Sequence, residues 1–120
     1  MNLKEKAISF LQLAGTGKVT EAYDKFVAID FIHHNPYFKG DRESLKLAME
    51  EAHISSPNKS IEIKLVTQEN DTVITHSQII KEGMTLAAVH IFSFTDEKIS
   101  EFWDVVQLSE ENSPNENGPF

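Results

Sequence analysis

Apolar positions fall into two regimes along this chain. Up to about residue 55 they recur at helical spacing, and beyond it they alternate. Leu3, Ala7, Phe10, Leu11 and Ala14 form one stripe, and Gly15 and Gly17 end that helix. Val19, Ala22, Tyr23, Phe26 and Val27 form a second stripe, with Thr16 or Thr20 as the candidate cap. "AIDFIHHNP" reads as a short extended segment stopped at Pro36, because proline disfavours a helical predecessor. Asp41 is placed to cap a third helix, "RESLKLAMEEAHI", with Leu45, Ala48, Met49 and Ala52 on one face.

The second regime predicts four strands. "SIEIKLV" sets Ile61, Ile63 and Leu65 against Glu62 and Lys64. "TVITHSQIIK", "TLAAVHIFSF" and "ISEFWDVVQL" follow, separated by the turns "EGM" and "TDEK". Short turns between consecutive strands imply a mainly antiparallel sheet. Helices followed by strands imply an α+β fold, with the helices on one face of a curved sheet. The expected layout is one domain over residues 1–108 and a polar tail over residues 109–120. By composition the tail need not be ordered, although its terminal Phe120 could dock.

Charge and composition narrow the function. The net charge is −8, with 19 acidic against 11 basic side chains and no basic cluster, which argues against nucleic-acid binding. No apolar run approaches membrane-spanning length. There is no cysteine, so disulfides and thiolate–metal sites are excluded. The expectation is a soluble cytoplasmic protein.

Candidate chemistry lies in polar residues set among apolar strand residues: His76, His90 and Asp104. A buried carboxylate between Trp103 and Val105 costs several kcal/mol unless it is hydrogen-bonded or protonated. Loop length decides whether these groups meet. Three-residue loops, Glu82 to Met84 and Asp96 to Lys98, place His76 opposite His90 and His90 opposite Asp104. Two-residue loops slip the register and separate the faces. The first register gathers the polar groups against Phe92, Phe94 and Phe102. An apolar wall of that kind moves a titrating group toward neutrality, where it serves proton transfer. The pair His33–His34 does not read as a chelate, since adjacent strand residues point to opposite faces. No ligand spacing occurs elsewhere, so no metal is expected. Phosphate-loop, nucleophile-elbow and dinucleotide fingerprints are also missing.

"FIHHNPYFKGDRESL", "KISEFWDVVQ" and "SPNENGPF" resemble the corresponding segments of SnoaL-like polyketide cyclases, in the nuclear transport factor 2-like superfamily. The resemblance extends over nearly the whole chain. It implies a cone-shaped, cystatin-like α+β barrel whose curved sheet wraps the helices around a pocket, and a homodimer formed through the outer sheet face. It assigns Asp104 as the acid–base group, assisted by His34 or His76, with His34 turned inward and His33 outward. Asn35, His90, Phe92, Phe102 and Trp103 are the expected ligand contacts. Phe102 and His90 depart from the family pattern, which has His and Asp there. Two functions remain open. One is cofactor-free aldol cyclisation, isomerisation or dehydration of a small carbonyl compound. The other is a module that binds a small hydrophobic ligand without transforming it, with Ile61, Ile63 and Leu65 supplying a dimer face.

Overall fold

The computed structural model describes all 120 residues. Three helices, α1 (Leu3–Gly15), α2 (Val19–Phe26) and α3 (Arg42–Ser55), accompany five strands. These are β1 (Val27–His33), β2 (Asn58–Glu69), β3 (Thr72–Lys81), β4 (Met84–Thr95) and β5 (Lys98–Leu108). The sheet order is β1-β5-β4-β3-β2. β1 runs parallel to β5, and the other pairs are antiparallel. The fold is therefore α+β with a mixed, mainly antiparallel sheet. β1 and β2 remain as edges, so the barrel does not close. No helix is long and apolar enough to cross a membrane.

The helix signals act largely where the sequence put them. Asn2 and Glu5 form a capping box that starts α1, and Asp41 caps α3 by accepting from the Ser44 amide. Gly17 takes a φ of 95° just beyond α1, a conformation that needs no Cβ. The cap of α2 differs from expectation. Lys18 occupies it without a side-chain bond, because the Thr16 hydroxyl turns back to donate to Gln12 O at 2.7 Å.

The core lies between the helices and the inner face of the sheet. Phe10, Tyr23, Phe92 and Phe102 are fully buried there, with Phe10 within 5.6–6.1 Å of the other three rings. Burying each such side chain stabilises by about 1.5–3 kcal/mol.

Bulges decide which residues face inward. In β2 the register shifts between Ile63 and Leu65. Ile63 packs against the core, whereas Leu65 is exposed on the far side. Ile61 approaches α1 at Gly15. Ile61, Ile63 and Leu65 therefore do not form one outer face: a bulge breaks the alternation.

The β3–β4 turn has two residues, Glu82 and Gly83, with Lys81 opposite Met84. His76 consequently pairs with Val89 and not with His90. The β4–β5 turn, Asp96-Glu97, also has two residues, and both have positive φ. Left regular, it would set Asp104 against Val89. A bulge at Ser100 adds one residue to β5, and His90 comes to pair with Asp104. The Ser100 hydroxyl anchors the bulge by donating to Ser93 O at 3.0 Å.

Candidate functional site

β4 and β5 bring His90 and Asp104 together on the inner face. His90 Nε2 lies 3.0 Å from Asp104 Oδ1, and Asn35 Nδ2 donates to Asp104 Oδ2 at 2.8 Å. Because a carboxylate only accepts, the His90 proton sits on Nε2. That leaves His90 Nδ1 as the basic nitrogen, and it is buried without a partner. The imidazole stacks on Phe102 at 5.2 Å and 12°.

Burial opposes ionisation of Asp104. The hydrogen bonds from His90 and from the Asn35 side-chain amide outweigh it and hold the carboxyl below its ordinary pKa. This corrects the expectation that the apolar wall would bring Asp104 toward neutrality. Asp104 stays a carboxylate, and the ring nitrogen left without a partner is His90 Nδ1.

Asn35 is held toward Asp104 by the histidine two residues before it. His33 is buried, its Nε2 donating to Lys39 O at 2.6 Å and its Nδ1 accepting from the Asn35 amide at 3.0 Å. The ring thereby clamps both ends of the loop after β1. His34 turns outward, stacks on Trp103 at 4.7 Å and meets Glu101 Oε2 at 2.6 Å. Alternation does separate the two histidines, but the inward one is His33. The expected orientation of the pair is reversed because pairing with β5 sets His33 opposite inward-facing Phe102.

His76 also lies outside. It stacks on Phe120 at 5.7 Å, on the outer sheet face, where the C-terminal segment encloses a groove of about 380 Å³. Trp103 shares that outer side with His34, and Phe92 lies in the core beneath His90. His34, His76 and Trp103 are thus not brought to Asp104, whereas Asn35, His90 and Phe102 are.

A cavity of about 200 Å³ opens between α1, α3 and the sheet. Phe10, Phe102, His90 and Asp104 form its inner end, and Asn58 and Lys81 its more exposed end. Beside His90 on the sheet's inner face, Thr75 and Ser77 are buried with hydroxyls that have no partner. The sequence reading missed both, since Thr and Ser are unremarkable in strands. The available signal was their position on either side of His76, in the opposite phase.

Comparison with known proteins follows the same lines. No family model and no curated protein matches the sequence. Solved structures do match. One is an NTF2-like protein of unknown function from Burkholderia xenovorans, with a TM-score of 0.76, 18% identity and coverage of 93% of this chain and 88% of that one. The chain has the nuclear transport factor 2-like fold. A cystatin-fold protein from Novosphingobium aromaticivorans superposes with a TM-score of 0.70 at 16% identity, over 88% of this chain and 98% of its own. An LEH-like epoxide hydrolase of M. tuberculosis gives 0.70 at 13% identity, covering 88% and 82%. Identities this low carry the nuclear transport factor 2-like fold and no activity.

Proposed function

We propose that the protein takes a small carbonyl compound into the inner cavity and moves a proton within it. His90 Nδ1 is the acid–base atom. Asp104 fixes the imidazole tautomer and stabilises the imidazolium that forms, and Asn35 holds Asp104. Aldol cyclisation, isomerisation and dehydration all begin with such a transfer, and none needs a cofactor. The observation that carries this reading is the buried, unpartnered Nδ1 of an imidazole oriented by a carboxylate at the end of an apolar cavity. The fold's occurrence in an epoxide hydrolase is compatible with it. The cavity, at about 200 Å³, falls below the roughly 300–1,000 Å³ of pockets for drug-sized ligands, which favours a small substrate over a polycyclic one.

A holding role without chemistry is the second reading. It is favoured by Asp104 already having a donor on each oxygen. Deuterium uptake separates the two. Small ketones incubated with the protein in heavy water should exchange their α-protons, and His90→Gln should abolish the exchange. Equal exchange with and without His90 would remove the catalytic reading. Binding without exchange would establish the holding one.

A further inference from the structure

The mouth of the cavity carries chemistry that proton transfer does not use. Lys81, the last residue of β3, lines it. Its ammonium donates to Ser56 O and has no carboxylate within salt-bridge distance. Five of the ten lysines are paired with carboxylates, among them Lys25 with Glu21, Lys46 with Glu50 and Lys59 with Glu82, and of the five that are not, Lys81 is the one that lines this cavity. Asn58 pairs across the sheet with Lys81 and lines the same mouth. Its Nδ2 donates to Gly15 O at 2.9 Å, and its buried Oδ1 has no donor. The mouth is therefore an incomplete polar site, with a cation lacking an anion and an acceptor lacking a donor.

We propose that the ligand is a carbonyl compound bearing a carboxylate, which Lys81 binds at the mouth while the carbonyl meets His90 at the inner end. This rests on the reading of the cavity as the functional site. The direction of binding follows from electrostatics. Asp104 makes the inner end repulsive to an anion, so the carboxylate stays at the opposite end, by the one cation that lines the cavity. Along β3 the two ends are well separated, since Thr75, opposite His90, is near the strand's start and Lys81 is its last residue. An elongated oxo acid spans them, and a compact one does not. Burial also pushes the Lys81 pKa below its ordinary value. An arriving carboxylate relieves that cost, and an ordered water or a ligand hydroxyl beside it donates to Asn58 Oδ1.

The test is a titration of straight-chain oxo acids and of their methyl esters, read from the His90 ring signals by NMR. Longer acids should bind at least about tenfold tighter than their esters. Lys81→Met should erase that preference and Lys81→Arg should keep it, with unchanged His33 signals showing that the fold is intact. Esters binding as tightly as acids would overturn the carboxylate site and leave the cavity reading standing. Failure of every probe to move His90 would overturn both.

Discussion

Asn35 Nδ2 and Asp104 Oδ2, 69 residues apart in sequence, meet at 2.8 Å and join the loop after β1 to the inner face of β5. Asn35→Ala removes one of the two donors on a buried carboxylate. It should destabilise by about 1–3 kcal/mol in urea unfolding. Asn35→Asp should cost more, because two carboxylates would then face each other. A neutral result for both would show that water replaces the amide.

Asp104 also sets an acid dependence. Its folded pKa lies below the unfolded value of about 3.9. The stability it contributes is therefore complete above that unfolded value and is lost as pH falls through the lower folded one. Asp104→Asn should be less stable than the parent at neutral pH, with the gap closing in strong acid. Urea midpoints measured across the acid range check this, and a constant gap would contradict it.

The adjacent histidines should behave differently. His33→Ala opens a space in the core and strips partners from Lys39 O and the Asn35 amide, so a loss of about 2–4 kcal/mol is expected. His34→Ala removes a half-exposed pair with Glu101, worth at most about 1 kcal/mol after screening. Thermal melts of the two variants should rank them in that order, and the Asn35 side-chain amide resonances should shift only in the first.

Thr75 and Ser77 offer a test in the opposite direction. Their buried hydroxyls have no partner, so an apolar replacement of similar shape removes a desolvation cost. Thr75→Val and Ser77→Ala should leave the Tm unchanged or raise it. A clear drop in Tm would mean that the hydroxyls are satisfied by water.

Glu97 sits at φ 65° in the β4–β5 turn, where glycine is at ease. Its exposed carboxylate lies a loose 3.7 Å from Lys6 Nζ, and the closer Lys6 bond, donated to Glu97 O at 3.0 Å, does not need the side chain. Glu97→Gly should stabilise by up to about 1 kcal/mol in chemical denaturation.

Much of the fold was legible because its signals are local. Asp41 caps its helix by a bond to an amide three residues on, and Gly17 ends another by its own φ. The strands could be placed from alternation, from the stop at Pro36 and from the short turns between them. The candidate site was legible only as a set of residues. Asp104 and His90 stood out as polar groups among aromatics, but their meeting required a bulge that no residue of β5 announces. Which of His33 and His34 faces inward depends on a parallel pairing with a strand about seventy residues away. His76 was misplaced for a related reason. A turn one residue shorter than "EGM" suggests sends it to the outer face, where Phe120 covers it.

The bulge at Ser100 has a consequence for how such a site is gained and lost. Deleting Ser100 would restore a regular hairpin and still leave His90 across from Asp104. Inserting a single residue between Glu101 and Asp104, of any kind, would turn the carboxylate out to solvent while every side chain of the dyad survived. Whether this strand is chemically competent is thus a matter of counting, odd or even, between the bulge and the aspartate. Two chains identical in every polar residue could differ in chemistry by one position of spacing, and a comparison of residue types alone would not reveal it.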